Sequence, residues 1–366
     1  MNPPAKRVKL MDGSSISNTS ADTHAFEDAL QHGKPSITNL KHHDVLWYED
    51  GSIVLATDEH LYCVHKSFLA SSSSVFKDML AMPNAESVMT VGSQGTHMGK
   101  DEDIYEGKPV VRMFGDSDEN VYHLLMALYD RNFFRAGKPT TAPIVLSLLI
   151  MSSKYDVPVI QSEVIEHLKS YYVTELPQLR KCEIACKDLF CGSTSNDGTA
   201  IDFDAEEFAF QLLDAALRMN TLTLLPAIYY ECSILPLGKI LSLSNKHSLE
   251  TEVVEKLLAG HEKLTKLSLI FGPKTLSPQT KCKFNSCLEA RSTLHVEWLY
   301  LRGYKYPDPP RKLIMSGFAC VGTAELRAKL CSECLNRTGS LAAEFELLFW
   351  TELPTIFGLG DWGALK

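Results

Sequence analysis

The sequence lacks the segments that mark membrane and secreted proteins. Its longest apolar run, Pro143 to Met151, is far shorter than the roughly 20 residues that cross a bilayer as a helix. The N-terminal segment has no apolar core of the kind found in secretion signals. We therefore expect the chain in the nucleus or the cytoplasm, where thiols stay reduced, and expect its 10 cysteines to be free thiols or metal ligands.

The sequence also lacks an excess of positive charge. Its 366 residues carry a formal net charge of −9, with 45% hydrophobic and 22% charged residues. Sequence-independent binding of nucleic acid depends on contacts of Lys and Arg with phosphate, so we expect no direct nucleic-acid partner. The short apolar runs likewise predict no membrane partner. The length and composition are typical of a globular protein with two domains.

The common catalytic motifs are missing as well. The sequence contains no Gly-x-Ser-x-Gly, no His-Glu-x-x-His and no phosphate-binding loop. Gly358-Leu359-Gly360 alone is too short to indicate a nucleotide site. We therefore expect no enzyme activity, no catalytic residue and no cofactor.

One basic cluster lies in the N-terminal arm, residues 1–40, which we expect to be disordered because it is polar and rich in Ser, Asn and Thr. The cluster is the segment Pro3-Pro4-Ala5-Lys6-Arg7-Val8-Lys9-Leu10. It resembles a monopartite nuclear-import signal, in which Lys6, Arg7 and Lys9 would dock into acidic grooves of an import receptor. A solvated basic tail is the alternative, since short basic clusters often arise by chance.

Three apolar runs between Asp44 and Val64 predict strands. They are Val45–Tyr48, Ile53–Ala56 and His60–Val64, and turn residues separate them. Asp50-Gly51 lies between the first two runs, and this dipeptide favours a tight hairpin turn. We therefore expect a hairpin between the first and second strands.

Two short helices should follow the third strand. The first is predicted in His65-Lys66-Ser67-Phe68-Leu69-Ala70 and the second around Ser74-Val75-Phe76. The serines from Ser71 to Ser74 should end the first helix and cap the second, because their side chains hydrogen-bond to free backbone groups at helix ends. At helical spacing Leu69, Val75 and Phe76 would share one packing surface.

The rest of the first half predicts one more strand and three helices. The segment from Pro83 to Gly107 is polar and should be a loop, and Val110–Phe114 should be a strand. A helix capped by Ser117 or Asp118 and a helix opened by Pro143 follow at the appropriate apolar spacing. Val164, Leu168 and Tyr171 mark the third helix.

The C-terminal half predicts helices almost throughout. Leu179–Phe190 and Ala205–Met219 are the strongest helix candidates, and a polar loop separates them. The second of them has apolar residues on two faces, Phe208 and Leu212 on one, Phe210 and Leu213 on the other. A helix with two apolar faces is buried on two sides, so we expect it to lie in a core.

These features together resemble the BTB/POZ domain. The motif that carries the resemblance comprises His65, Phe68, Leu69, Ala70 and Phe76, and the predicted order of sheet, helix pair, strand and three helices is the order of that fold. Further segments are similar to the BTB proteins expanded in mushroom-forming fungi: Glu106–Val111, Tyr155–Pro158, Leu224–Ser233 and Trp350–Trp362.

The resemblance implies an α+β architecture and a function in protein assembly. The BTB/POZ fold, a small sheet flanked by helices, would occupy residues 41–175, and a mainly α-helical domain would occupy residues 176–366. Such domains have no catalytic site and act through homo- or hetero-dimerisation. Two alternatives are a substrate adaptor that recruits a cullin for ubiquitin ligation and a transcriptional regulator that acts in the nucleus.

The resemblance also implies particular site residues. Asp44 in the first strand and Lys66 after the signature histidine would line a charged pocket near the dimer groove, although ordinary surface charges are the alternative. The cullin contact of the family needs a hydrophobic residue two positions before a Glu. Asn84 stands two positions before Glu86, and Met82 stands four before it, so the pattern for cullin recruitment is not met.

Four cysteines have the spacing of metal ligands. They are the pairs Cys282-x4-Cys287 and Cys331-x2-Cys334, with Cys320 and His295 as substitutes, and zinc binds such ligands tetrahedrally. The favoured interpretation is nevertheless four buried thiols acting as small hydrophobes and no metal, because the second pair falls in a predicted helical run, Ala324–Leu335.

Overall fold

The computed structural model describes residues 37–81, 104–172, 174–176, 205–276, 282–300 and 324–365. It is a mixed α/β protein with a five-stranded sheet near its N-terminus and mostly helices elsewhere. The described residues form two compact units. The first comprises residues 37–64 and 104–114, and the second comprises the remaining described residues from His65 onward. In the described residues no helix is long and apolar enough to cross a membrane.

The sheet belongs to the first unit and has the order β1-β3-β2-β5-β4. Its strands are β1 (Lys41–Trp47), β2 (Ile53–Ala56), β3 (His60–Val64), β4 (Ile104–Tyr105) and β5 (Lys108–Arg112). The central strands β2 and β3 are antiparallel, β1 lies parallel to β3, and β5 lies parallel to β2. Both central strands are buried almost throughout, as their continuous apolar sequences require.

The predicted hairpin between β1 and β2 is wrong. Strand β3 lies between them, and the true hairpin is β2–β3. Its turn is held by Thr57, whose Oγ1 accepts hydrogen bonds from the backbone N–H groups of Glu59 and His60 at 3.3 and 3.0 Å. Gly51 is required for another reason: a Cβ at this position would lie 2.5 Å from the Sγ atom of Cys63. The glycine at position 51 is therefore explained by its close contact with Cys63, and not by a hairpin turn.

A second hairpin lies partly within the predicted loop. Strand β4 pairs in antiparallel register with β5, and only Glu106 and Gly107 connect the two strands. Both residues have positive φ, 50° and 76°, as a two-residue type I′ turn requires. The predicted strand at Val110–Phe114 is confirmed, but both of its ends lie two residues earlier, at Lys108 and Arg112.

The second unit is helical. Its helices are α1 (Lys66–Ser72), α2 (Ser74–Ala81), α3 (Asp118–Tyr129), α4 (Ala142–Lys154), α5 (Pro158–Tyr171), α6 (Ala205–Arg218), α7 (Leu225–Ser233), α8 (Leu237–Lys246), α9 (Thr251–Leu276), α10 (Asn285–Tyr300), α11 (Ala324–Ala328) and α12 (Ser332–Ile356). The three predicted helices after the sheet are confirmed as α3, α4 and α5. Ser117 caps α3, since its side chain accepts from the N–H of Asn120.

Helix α6 confirms the predicted core helix, because Phe210, Leu212 and Leu213 are all fully buried. The predicted helix at Leu179–Phe190 lies outside the described residues. Helix α4 contacts α6, so the helices that follow the sheet pack directly on the C-terminal helices within this unit. The predicted domain boundary at residues 175–176 stays a prediction.

The C-terminal segments Leu224–Ser233 and Trp350–Trp362 pack against each other. Tyr229 of α7 stacks on Phe357 with ring centroids 5.1 Å apart, and Tyr230 contacts Phe349 edge to face. At the end of the chain Trp362 stacks on Trp350, and its indole N–H donates to the carbonyl oxygen of the same residue at 2.7 Å. Aromatic burial of this kind accounts for the concentration of Tyr, Phe and Trp in the two segments.

His167 of α5 is a buried histidine that the structure requires in its neutral form. Its side chain is 2% exposed, and its Nδ1 accepts a hydrogen bond from the backbone N–H of Gly137 at 3.1 Å. A protonated imidazole has no acceptor. Burial lowers the pKa of His167 for the same reason, since it disfavours the charged ring.

We expect the free energy of unfolding to fall as the pH drops below about 6.5, the pKa of an unfolded histidine. Below this pH His167 binds a proton in the unfolded chain but not in the native state. The contribution of the neutral His167 to the free energy of unfolding is therefore complete above this pH and is lost progressively below it. Urea titrations between pH 7.5 and 5.5 measure the effect. The variant His167→Asn should show a shallower dependence on pH, and an unchanged slope would contradict the assignment.

Candidate functional site

Four of the five residues that carry the resemblance lie in the helix pair α1–α2, which we call the signature helices, and the fifth, His65, directly precedes α1. Leu69 and Phe76 are fully buried, one from each helix. Ser73 lies between the helices: its backbone N–H donates to the carbonyl oxygen of Leu69 at 3.0 Å, and its Oγ accepts from the N–H of Phe76 at 2.9 Å. The predicted serine break and capping are therefore confirmed.

The signature helices are fastened to the Tyr155–Pro158 segment, which joins α4 to α5. The hydroxyl of Ser73 donates to the carbonyl oxygen of Tyr155, and the hydroxyl of Ser74 donates to the carboxylate of Asp156. The rings of Phe76 and Tyr155 stack with a centroid distance of 4.6 Å and an angle of 6°. Two motifs that lie about 80 residues apart in sequence thus form one structural element.

A buried carboxylate extends this connection. The hydroxyl of Tyr155 donates to Asp116 at 2.5 Å, and the Nζ of Lys154 lies 2.6 Å from the other oxygen of the same carboxylate. Asp116 is 9% exposed. Burial and the hydrogen bond to Asp116 raise the pKa of Tyr155, so the phenol stays a donor at neutral pH. The orientation of Tyr155 under Phe76 is thereby fixed.

Not every signature residue is buried. Phe68 is 38% exposed and lies edge-on against Tyr129 at 4.8 Å, while Ala70 is partly buried. Val75 is 37% exposed, so its predicted place on the packing surface beside Leu69 is wrong. The angular offset of Val75 from Phe76 turns it toward solvent while Phe76 points inward. His65 is anchored to Tyr129, whose hydroxyl accepts from the His65 backbone N–H at 2.9 Å.

The predicted charged residues fall in different places. Asp44 lies exposed in β1 of the first unit, and Lys66 lies exposed at the start of α1 in the second unit. Their common pocket stays a prediction. The import residues Lys6, Arg7 and Lys9 and the segment from Met82 to Glu86 lie outside the described residues.

A shallow depression lies beside the signature helices. Its lining consists of eight residues: Ala70, Ser71, Ser72, Ser73, Ser74, Lys77, Asp156 and Pro158. The one serine–carboxylate pair in this lining, Ser74 with Asp156, has no histidine beside it to act as a base. Chemically the depression offers hydroxyls, one ammonium group and one carboxylate for hydrogen bonding.

A second candidate site is a cluster of four cysteines in the second unit. Cys282 and Cys287 belong to the segment that begins α10, and Cys331 and Cys334 belong to the start of α12. The four Sγ atoms lie within 4.8 Å of one another. Those of Cys282 and Cys331 are 3.9 Å apart, and all four are free thiols. The structure thus brings together the two pairs that their spacing singles out.

The predicted continuous helix over Ala324–Leu335 is wrong, because it is interrupted between Ala328 and Ser332. Helix α11 ends at Ala328, and α12 begins at Ser332. Between them Cys331 is extended and caps α12, with its sulfur accepting from the N–H of Cys334 at 3.5 Å. The break turns the Cys331 thiol toward its partners. Helix propensity over this stretch conceals the break, because a Cys side chain is a rarer cap than Ser or Asp.

The cysteine sulfurs lie in different electrostatic surroundings. The backbone N–H of Cys334 at the N-terminus of α12 lowers the pKa of Cys331 to about 7, because it stabilises the thiolate. Burial raises the pKa of Cys287 and of Cys334, which are 1% and 5% exposed. The backbone N–H of Cys331 nevertheless donates to the sulfur of Cys287 at 3.3 Å.

Apolar side chains enclose the cluster on its inner side. They are contributed by α9, α10 and α12 and by the turn before α12: Phe271, Ala290, Leu294, Leu330, Ala342 and Phe345. His295, a predicted substitute ligand, is not among the clustered residues, and Cys320 lies outside the described residues. Four cysteines at the described positions make either substitute unnecessary.

Comparison with known proteins gives no assignment. No protein-family model, no curated protein and no solved structure matches the chain.

Proposed function

We propose that this chain is a non-enzymatic assembly protein of the BTB/POZ type, which associates with a second copy of itself. The observation that carries the proposal is the order of its elements. The β2–β3 hairpin is followed by α1 and α2, then by β4 and β5, of which β5 joins β2 in parallel, and then by α3, α4 and α5. This is the order that the resemblance predicts for that fold.

The packing of the signature helices supports the proposal. Ser73, Ser74 and Phe76 fasten the helix pair to the α4–α5 connection, so it forms a rigid platform. The platform leaves Phe68 and Val75 exposed by more than a third of their surface. Aromatic side chains are enriched at the centre of protein interfaces, and Phe68 supplies an exposed one here, with Val75 on the neighbouring helix.

We expect the double variant Phe68→Glu/Val75→Glu to convert a dimer into a monomer, because two carboxylates would have to be buried in the interface without partners. Sedimentation velocity of the full chain over micromolar concentrations measures the change. Leu241→Glu is the control, since Leu241 is 44% exposed on α8, a helix whose main contacts are with α6 and α9. It should leave the dimer intact.

Two outcomes would contradict the proposal. One is a wild-type chain that stays monomeric throughout the concentration range, and the other is a double variant that dimerises as tightly as the wild type. Circular dichroism of the variants separates loss of association from loss of folding, because both substitutions are at exposed positions and should leave the helix content unchanged.

The rival functions stay predictions that no described contact favours. Cullin recruitment would use the segment from Met82 to Glu86, and a nuclear regulatory role would depend on Lys6, Arg7 and Lys9. Both segments lie outside the described residues.

A further inference from the structure

The four-cysteine cluster joins two parts of the chain that are distant in sequence. The backbone of Cys331 contacts Cys287, 44 residues earlier, and the sulfur of Cys331 meets Cys282, 49 residues earlier. The role of this cluster is independent of the proposed assembly function, because no cluster residue belongs to the signature helices.

The sulfur spacing fits a metal centre and not disulfides. A disulfide needs an S–S distance of about 2.05 Å. Tetrahedral zinc with Zn–S bonds of about 2.3 Å places its ligand sulfurs about 3.8 Å apart. The Sγ atoms of Cys282 and Cys331 are 3.9 Å apart, and every sulfur of the cluster lies within 4.8 Å of the others.

The backbone around the cluster is arranged to stabilise thiolates. The N–H of Cys331 points at the sulfur of Cys287 at 3.3 Å, and the N–H of Cys334 points at the sulfur of Cys331 at 3.5 Å. Hydrogen bonds of this kind orient the ligands of a thiolate metal site and reduce the charge on sulfur. Neutral thiols acting only as small hydrophobes would need no such donors.

We propose that Cys282, Cys287, Cys331 and Cys334 bind one Zn²⁺ ion in a structural site. The ion displaces the four thiol protons to solvent and takes the four thiolates as its complete tetrahedral set. No coordination position remains open for water or substrate, so the site fastens the start of α10 to the start of α12 and does not catalyse. Four soft thiolates select zinc over the harder divalent ions.

The position of the site explains its use. Cys282 precedes α10 and Cys331 precedes α12, and both lie outside regular secondary structure. Cys287 and Cys334 lie in the first turns of the two helices, so an ion that binds all four cysteines holds both helix starts together. The apolar core beside the proposed site includes Cys287, Cys334 and Leu330.

The test uses the full chain, produced with zinc in the medium and purified under a reducing agent without chelator. Elemental analysis should find about one zinc per chain. Cys334→Ser should lose the zinc, whereas Cys232→Ala, which replaces another buried cysteine of the same unit, should retain it. Replacement of zinc by Co²⁺ in the wild-type chain should give the strong visible absorption of tetrahedral cobalt thiolate.

A second measurement keeps the test decisive if Cys334→Ser fails to fold. The wild-type chain is stripped of metal with a chelator, and its thermal midpoint is measured before and after Zn²⁺ is restored. We expect the midpoint to fall on removal and to recover on addition. Metal-free protein with an unchanged midpoint, a chain with iron in place of zinc, or two disulfides among the four cysteines under reducing purification would each overturn the proposal.

Discussion

Replacement of Gly260 by alanine is expected to destabilise the helical unit by about 2–3 kcal/mol, although alanine is the better helix former. Gly260 lies within α9, where the ring of Phe357 covers its Cα. A Cβ at this position would lie 2.1 Å from Cε1 of that ring and 2.8 Å from Cδ1. Urea denaturation followed by circular dichroism measures the loss.

The phenylalanine ring has little room to yield. Phe357 is 1% exposed and stacks on Tyr229, which is itself fully buried. Rotation of the ring away from a new methyl group would break that stacking and leave a void beside α7. Because protein interiors are close-packed, the methyl group therefore strains the contact between α9 and the end of α12 instead of being absorbed.

A second site provides the matched control. Gly339 of α12 has the same residue type in a helix, but nothing lies within 4 Å of the Cβ that alanine would add. Gly339→Ala should therefore stabilise the protein by about 0.5–1 kcal/mol, as expected from helix propensity alone. The same glycine-to-alanine change should thus lower the free energy of unfolding at position 260 and raise it at position 339.

The double variant tests the stated cause. In a Phe357→Ala background the obstructing ring is gone, so Gly260→Ala should become neutral or stabilising. The coupling free energy between the two sites should then be of the order of 3 kcal/mol, as expected for residues in direct contact. If Gly260→Ala costs the same in both backgrounds, the cause lies in α9 itself and not in the aromatic contact.

The Gly260 contact also shows where prediction from sequence ends. The sequence marks Leu224–Ser233 and Trp350–Trp362 as notable segments, and the structure stacks Tyr229 of one on Phe357 of the other. Composition and periodicity locate such segments but do not say which of them meet. Gly260 carries no signal at all, because a glycine in a helix is required only by what packs on it from elsewhere.

Helix ends and caps can be predicted from the sequence where a few neighbouring residues determine them. The serine break at Ser73, the Ser117 cap and the helix opened by Pro143 are all confirmed. The predicted pairing of β1 with β2 is wrong, because Asp50-Gly51 favours a hairpin locally, whereas the sheet places the buried strand β3 between them. Non-local pairing outweighs the local turn signal.

The cysteine site lies between these two cases. The spacing of the pairs Cys282–Cys287 and Cys331–Cys334 is visible in the sequence, but helix propensity predicts a continuous helix across the second pair. The extended backbone at Cys331 and the sulfur-to-sulfur distances come from tertiary structure, since the two pairs are held together by α9, α10 and α12. Spacing reveals the ligand types, and tertiary packing makes them converge.

Replacement of Arg291 by methionine is expected to destabilise the protein by about 3 kcal/mol, because it leaves two buried acceptors without their donor. Arg291 of α10 is 2% exposed. Its Nη1 donates to the hydroxyl oxygen of Thr338 in α12 at 2.7 Å, and its Nη2 donates to the carbonyl oxygen of Thr275 in α9 at 3.0 Å. One side chain thus connects three helices.

The carbonyl of Thr275 explains why an arginine stands there. Thr275 lies in the last turn of α9, which the structure describes to Leu276, and its carbonyl oxygen accepts from Nη2 of Arg291. The guanidinium donates to a carbonyl of this turn and places positive charge at the negative end of the helix dipole. Methionine has a similar length and is apolar, so it fills the volume while removing both hydrogen bonds and the charge.

Arg337→Met is the control, because Arg337 is exposed on α12 and its loss should change stability by less than about 0.5 kcal/mol. Arg291→Lys separates charge from geometry: an ammonium group keeps the charge but lacks the planar fork that reaches two acceptors at once, so it should restore only part of the loss. If lysine restores full stability, the charge at the end of α9 suffices. If methionine costs nothing, the end of α9 is held by packing alone, and the bridge among α9, α10 and α12 is without energetic consequence.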